Sequence, residues 1–179
     1  ALYGAYSEGR ESPLEELEIQ YADYAVWQRE WLKGEVLERQ LEYWRSKLDG
    51  AGVLSLPVDK KRPSMQSFDG GESYLRMREG LTEGLRELSG SEGVTLYMVL
   101  LGGFQLLLQR YSGQDDIVVG SPIAGRSRAE LEPLIGFFVN TVVMRTDLRG
   151  EPTVREMLGR VREVCLGAYG HQDVPFEQL

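Results

Sequence analysis

The sequence predicts an α/β fold in which helices cover a mixed sheet. Two stretches, residues 117–119 and 138–148, are rich in β-branched residues and are typical of buried strands. Stripes of apolar residues at helical spacing flank them, the clearest running from Leu37 to Leu48. The resulting order is helix, helix, strand, helix, helix, strand, strand, helix, and it indicates a sheet with helices packed against it.

In the first third of the chain, a polar segment precedes two helices. Residues 1–17 are rich in Gly, Ser, Glu and Pro, which predicts a linker or extended arm. The spacing of Ile19, Ala22 and Val26 predicts a helix that Gly34 interrupts. The second helix should end at the Asp-Gly pair of residues 49–50.

The middle of the chain predicts a long loop before the central helix. Residues 51–72 contain two prolines and a Gly-Gly pair, and a loop of this length is usually functional or covered by another part of the protein. Alternation over residues 73–78 predicts a strand, and leucines at 81–88 predict a helix. Thr95 can cap the next helix, over residues 96–111, which is apolar nearly all round and should be central. The pair at 102–103 is Gly-Gly, which permits close approach of another element.

The last third predicts one strong helix after the strands. Residues 120–128 read as a loop of small and basic residues. Thr153 and Glu156 have the spacing of a capping box, in which each side chain satisfies a backbone N–H of the first turn. An apolar stripe follows as far as Ala168, and Pro175 suits the first turn of one more helix.

Charge and composition exclude several classes of function. The chain has 20 basic and 28 acidic residues, a net charge of −8, which argues against a nucleic acid partner. Its 42% hydrophobic content argues against global disorder, and its apolar runs are shorter than a membrane span. The only cysteine, Cys165, cannot form an internal disulfide, which favours a reducing, cytoplasmic location.

Residue chemistry alone yields no complete active site. His171 is the only histidine, and with Asp173 it could form a base and its orienting carboxylate, although capping and local hydrogen bonds are the commoner role. Cys165 lies on the apolar stripe of its helix and reads as a core cysteine. The Asp-Asp pair at 115–116 is a weak metal signal beside a strand, where a turn is the commoner explanation. We therefore predict no metal site and no catalytic residue in this chain.

Three blocks in order carry a family resemblance. They are YADYAVWQ at residues 21–28, IGFFVNT at 135–141 and HQDVPFEQL at 171–179, with GSPIAGR at 120–126 between the first two. Together they resemble the condensation domains of nonribosomal peptide synthetases, which have two lobes similar to chloramphenicol acetyltransferase. The resemblance places residues 19–179 in the C-terminal lobe, truncated at both ends, and residues 1–18 in an arm that comes from the N-terminal lobe.

The resemblance implies amide formation between two thioesters held on carrier proteins. The family's catalytic signature has two histidines, three variable residues and Asp-Gly; it belongs to the N-terminal lobe and is absent here. This chain alone should then be inactive. It would bind no cofactor directly, because phosphopantetheine is carried by the carrier domains. The implied partners are the N-terminal lobe, carrier proteins and an adjacent adenylation domain.

The same resemblance assigns roles to nine residues. Two groups follow from it: residues that line the substrate tunnel, and residues that order the lobe junction and the start of the last helix. The tunnel candidates are Ser121, Arg126, Asn140 and Thr141. The structural candidates are Tyr21, Asp23, Trp27, His171 and Asp173. The Asn140 amide would hold a pantetheine amide or support the intermediate, and Arg126 would pair with an acid of the other lobe or a carrier phosphate.

Two other functions remain open at this point. The chain could be a non-catalytic module that docks carrier proteins or a neighbouring domain. It could also belong to an epimerisation or heterocyclisation relative, although the three blocks look more like ordinary condensation. The sequence immediately upstream separates the enzyme from the module, because a two-histidine motif there supports the enzyme.

Overall fold

The computed structural model describes residues 1–61 and 63–179. Within them the chain forms six α-helices and two strands, which confirms the predicted α/β class. The helices are α1 (Leu2–Ser7), α2 (Tyr21–Trp31), α3 (Glu35–Leu48), α4 (Glu79–Ser91), α5 (Leu96–Ser112) and α6 (Val154–Gly170). The strands are β1 (Asp116–Ile123) and β2 (Asn140–Asp147), and 3₁₀ turns occur at Ala129–Leu131 and Phe176–Gln178.

Local capping sets the ends of the longer helices, as the sequence predicts. The Thr95 hydroxyl accepts a hydrogen bond from the Met98 N–H at 3.2 Å and starts α5. In α6, the Thr153 N–H donates to the Glu156 carboxylate at 2.8 Å, and the Glu156 N–H donates back to the Thr153 hydroxyl at 3.3 Å. These reciprocal bonds confirm the capping box.

The two strands form an antiparallel pair at the centre of the core. The register runs from Asp116 opposite Asp147 to Ile123 opposite Asn140. On the face covered by α5 and α6, Ile117 and Met144 are fully buried. A second, smaller apolar cluster of Leu131, Leu134 and Phe138 lies between the strands in sequence and packs against Ile19 and Tyr24. This smaller cluster brings α2 close to the start of β2.

The structure differs from the sequence prediction at several irregular segments. Residues 73–78 form no strand, and Tyr74 and Leu75 are 88% and 92% exposed. A strand is stabilised by pairing, and no described strand lies beside them. The predicted loop at 120–128 is shorter, because β1 continues to Ile123. The helix expected from Pro175 is only a 3₁₀ turn.

Two further segments can be compared with their predictions. The predicted loop is irregular over residues 51–61 and 63–72, and residue 62 lies outside the described residues. The predicted arm contains the short helix α1, which buries Ala5. The other apolar residues of this helix, Leu2, Tyr3 and Tyr6, are exposed.

Only one face of helix α5 is buried in the core. Met98, Leu101 and Gln105 are buried against the rest of the core, whereas Leu100, Phe104 and Leu107 are 41%, 48% and 51% exposed. The prediction of a central helix, made from apolar residues all round α5, therefore overstates its burial, because the sheet and α6 cover a single face. Gly102 lies on the buried face, where an added Cβ would stand 3.0 Å from Met157 Cε, while Gly103 faces open space.

No single helix within residues 1–61 and 63–179 is long and apolar enough to cross a membrane. The pair α4 and α5 has the required length and composition only when taken together, and it is bent by 107°.

We expect the two neighbouring glycines of α5 to respond differently to alanine. Gly103→Ala should raise the free energy of unfolding by about 0.5–1 kcal/mol, since alanine is the better helix former and nothing obstructs its methyl group. Gly102→Ala should raise the free energy of unfolding by clearly less, because Met157 must move to make room for the methyl group. Chemical denaturation of both variants checks this, and equal gains would contradict the packing described for Gly102.

Candidate functional site

The three sequence blocks meet at one cavity. It has a volume of about 300 Å³ and is lined by parts of α2, of the segment leading into β2, and of the C-terminal segment. Its lining residues are Tyr21, Tyr24, Trp27, Gln28, Trp31, Gly125, Ser127, Phe137, Phe138, Val139, Asn140, Thr141, Gln172, Asp173, Pro175, Phe176 and Glu177. Segments separated by more than 100 residues thus build a single concave site.

Aromatic contacts hold α2 against the entrance to β2. The Tyr21 hydroxyl donates to the Phe137 carbonyl at 3.0 Å, and its ring meets Phe138 edge-on at 5.2 Å between centroids. A Cβ on Gly136 would lie 2.2 Å from the Tyr21 ring, so only glycine fits there. Burial, with the nearby Tyr21 and Asp173, raises the pKa of Tyr24 and keeps its hydroxyl protonated.

The Asn140 side chain ties the C-terminal segment to the start of β2. Its Nδ2 donates to the Gln172 and Val174 carbonyls, each at 2.8 Å. Its Oδ1 accepts from the backbone N–H of Thr141 at 2.9 Å and of Phe176 at 3.1 Å. Both donors and the acceptor are used within the chain, so the amide has no donor left for the pantetheine or intermediate contact that the family resemblance implies.

Helix α3 holds the same segment from the other side. Buried Gln40 donates to the Asp173 carboxylate at 2.6 Å and accepts from the Asp173 N–H at 3.2 Å. The Trp44 indole donates to the His171 carbonyl at 2.7 Å. The His171 ring stacks on Tyr43 at 3.8 Å between centroids. This clamp fixes the residues that form one wall of the cavity.

Neither the histidine nor the cysteine is available at the cavity. His171 Nδ1 lies 2.8 Å from the Gly167 carbonyl, and the residue is not among those that line the cavity. Cys165 is fully buried, and burial raises the pKa of its thiol to about 11. No cluster of three metal-ligating side chains occurs among the described residues. The cavity therefore has a shape and a charge but neither an imidazole nor a thiol.

The nine candidates divide by position. Tyr21, Trp27, Asn140, Thr141 and Asp173 line the cavity, whereas Ser121, Arg126, Asp23 and His171 do not. Their assigned roles in a tunnel or a lobe junction stay predictions.

The other three candidates outside the cavity lining, like His171, have hydrogen-bond partners within the fold. Asp23 accepts from the Gln20 N–H at 2.8 Å and completes the capping box of α2. Ser121 is buried and accepts a hydrogen bond from the Tyr97 hydroxyl at 2.7 Å. Arg126 donates to the Leu131 carbonyl and stacks on Phe138 at 4.1 Å from the ring centroid.

Sequence reasoning did not identify Gln40, Trp31 and Gly136 as parts of this site. Gln40 lies on the apolar side of α3, and a buried polar residue among apolar positions is a signal that it has a partner. Trp31 follows Trp27 at a spacing of four residues, which places both rings on one helix face. Gly136 stands inside the second block, but its need for glycine depends on the Tyr21 ring and cannot be read from the sequence.

Comparison with known proteins shows the family. A family model described as "Condensation domain" matches residues 1–179, so the chain belongs to the condensation domain family. It is 58% identical to a linear gramicidin synthase polypeptide of Brevibacillus parabrevis over 180 residues, which is 100% of this chain and 4% of that protein. Tyrocidine synthase 3 of the same organism is 50% identical over 167 residues, covering 93% of this chain and 3% of that protein. The family resemblance and the nonribosomal peptide synthetase context are thereby confirmed.

Solved structures show the same fold. The X-domain from teicoplanin biosynthesis superposes with a TM-score of 0.89 at 34% identity, covering 98% of this chain and 40% of that one. The X-domain in its complex with OxyB gives the same TM-score at 35% identity, again covering 98% and 40%. These matches confirm the chloramphenicol acetyltransferase-like α/β fold. The chain spans less than half of these structures and a small part of the synthetases.

Removing the Asn140 amide should release the C-terminal segment. Asn140→Ala is expected to lower the free energy of unfolding by about 2–4 kcal/mol, because it leaves several backbone groups without partners. Thr141→Val, the matched control at the neighbouring position, should change it by less than about 0.5 kcal/mol. Denaturant unfolding measures both. A cost at Asn140 no larger than at Thr141 would contradict the anchoring role.

Cys165 should resist alkylation in the folded chain. The thiolate is the reactive form, and a buried thiol with a pKa of about 11 provides little of it at pH ~8. We expect no iodoacetamide adduct by mass spectrometry under native conditions and complete modification in guanidinium chloride. Rapid native labelling would show that the core around α6 is open.

Proposed function

We propose that this chain is the C-terminal half of a peptide-bond-forming condensation domain. In the reaction, the amine nitrogen of an acceptor aminoacyl thioester attacks the carbonyl carbon of a donor thioester. The new C–N bond forms, the C–S bond breaks, and the amine loses a proton while the thiol leaves with one. Both thioesters are carried on phosphopantetheine arms of carrier domains, so the chain needs no resident cofactor.

The observation that carries this proposal is the convergence of the three family blocks on one cavity that has no imidazole. A reaction that removes a proton from an amine requires a group able to accept it. His171 and Cys165 are both engaged elsewhere in the fold. The family resemblance assigns the proton acceptor to the two-histidine motif of the N-terminal lobe, and in this proposal the present chain contributes a wall. Residues 19–179 form the C-terminal lobe and residues 1–18 the arm that enters it.

Among the four tunnel candidates, Thr141 is the best suited to meet a substrate. It lines the cavity, and its hydroxyl has no hydrogen bond to the described residues. The amide of Asn140 holds the C-terminal segment instead. Thr141 thus offers a hydroxyl to an amide of the substrate arm, while Asn140 sets the position of the strand that carries it.

In this proposal the chain's partners are the N-terminal lobe, acyl and peptidyl carrier proteins and a neighbouring adenylation domain. The proposed location is the cytoplasm. Because the chain's net charge of −8 has the same sign as that of acidic carrier proteins, their long-range electrostatic interaction does not favour association. Docking then relies on local basic groups and apolar contact, which suits carriers that arrive and leave in each cycle.

A second candidate is a non-catalytic docking module. The X-domain solved in complex with OxyB resembles this chain over 98% of its length. In that complex, a domain of this fold is bound to another protein. In this alternative the chain holds a neighbouring protein and no two-histidine motif precedes it.

The two functions are separated by assaying the domain that contains this chain. We expect the complete domain, supplied with donor and acceptor thioesters on carrier proteins, to form the amide product by mass spectrometry, and the isolated chain to form none. Product from the isolated chain would overturn the division of labour between lobes. No product from a folded complete domain would favour the docking module.

The role of Thr141 is tested in the same assay. Thr141→Val should lower kcat/KM about tenfold, the loss expected for one hydrogen bond to substrate. Thr141→Ser keeps the hydroxyl and should retain most of the activity. Equal rates for the valine and serine variants would remove the tunnel role of Thr141.

A further inference from the structure

The cavity combines aromatic rings with carboxylates that lack a cation. Seven of its seventeen lining residues are aromatic, and two, Asp173 and Glu177, are acidic. Among the described residues that line it, none is arginine, lysine or histidine. Neither carboxylate forms an ion pair within the described chain. Aromatic faces beside a carboxylate attract organic cations, so the missing component of this site is a positive charge.

The chain already places guanidinium groups on the outer sides of these rings. Arg126 lies 4.1 Å from the centroid of Phe138, and Arg128 lies 4.7 Å from the centroid of Trp27. Both arginines are outside the lining of the 300 Å³ cavity. Stacked guanidinium groups are thus compatible with this aromatic surface, and two of them flank the cavity without entering it.

The net formal charge of the residues around the cavity is negative even when these two arginines are counted. Arg128 lines a second, adjoining cavity of about 260 Å³ together with Asp23 and Glu130. The two cavities and the arginines that stack on their rings therefore contain four carboxylates and two guanidinium groups. The formal excess is two negative charges, which favours a cationic occupant.

Asp173 is held so that its charge faces this site. Gln40 binds one carboxylate oxygen, Oδ2, and the backbone N–H of the same residue. The other oxygen, Oδ1, has no hydrogen bond to the described residues. Asp173 also lies close enough to Tyr24 to raise the pKa of that hydroxyl, which places its negative charge beside the aromatic wall.

We propose that this cavity receives the guanidinium group of an arginine on a partner polypeptide. A planar, weakly hydrated guanidinium stacks on rings and bonds a carboxylate at once. A cavity of about 300 Å³ is at the small end of ligand sites and suits one side chain better than a large ligand. The proposal adds a docking contact to the proposed function and does not depend on the reaction itself.

Binding is measured on the 179-residue chain with Nα-acetyl-arginine methylamide as the probe. The readout is the indole N–H signal of each tryptophan by NMR. Trp27 and Trp31 line the cavity, whereas Trp44 is buried and bonded to the His171 carbonyl. We expect the probe to shift the signals of Trp27 and Trp31 and to leave Trp44 unchanged. The uncharged isostere, Nα-acetyl-citrulline methylamide, should cause no saturable shift.

Charge variants complete the test. Asp173→Asn keeps an oxygen for the Gln40 hydrogen bond and should raise the probe's Kd about threefold, the effect of one partly exposed charge. Asp69→Asn makes the same charge change at an exposed loop residue that lines neither cavity, and should leave Kd unchanged. Circular dichroism confirms that both variants fold.

Three results would overturn the proposal. They are equal shifts with the arginine and citrulline probes, an unchanged Kd in folded Asp173→Asn, and a Trp44 shift as large as those of Trp27 and Trp31. None of them bears on amide formation by the complete domain, so failure here is distinguishable from failure of the proposed function.

Discussion

The four hydrogen bonds of the Asn140 amide are the contact on which the candidate site depends. Three of them join the first residue of β2 to the segment at 172–176 and so bring together the second and third sequence blocks, and the fourth is to the neighbouring Thr141 N–H. Because every polar atom of this amide is satisfied, the segment has one favourable position relative to the strand. Gln40 and Trp44 of α3 reinforce that position, and the aromatic wall of α2 then closes the cavity.

The two most reactive side chains of this chain, His171 and Cys165, lie outside the cavity. The imidazole and the thiol of the chain are used for packing, whereas the cavity is built from rings, amides and carboxylates. Rings, amides and carboxylates of this kind can position and recognise a bound group. Apolar side chains are also exposed on α5 and at residues 74–75.

Regular elements were predictable because their signals are local. The stripe from Leu37 to Leu48, the Thr95 cap and the capping box at Thr153 each depend on residues within a few turns of one another. Predictions failed where a distant partner decides the outcome. Residues 73–78 have the alternation of a strand but no described strand to pair with, and α5 has an apolar surface larger than the core that covers it.

For the site, the sequence by itself determined which blocks matter and the family to which they belong. It also determined that only one imidazole and one thiol exist in the chain. The tertiary structure alone decided that Asn140 anchors a segment, that Gln40 orients Asp173, and that two carboxylates share a cavity with stacked rings. Those facts depend on contacts between residues 32 to 133 positions apart. A linear pattern carries no information about which side chains such separations bring within hydrogen-bonding range.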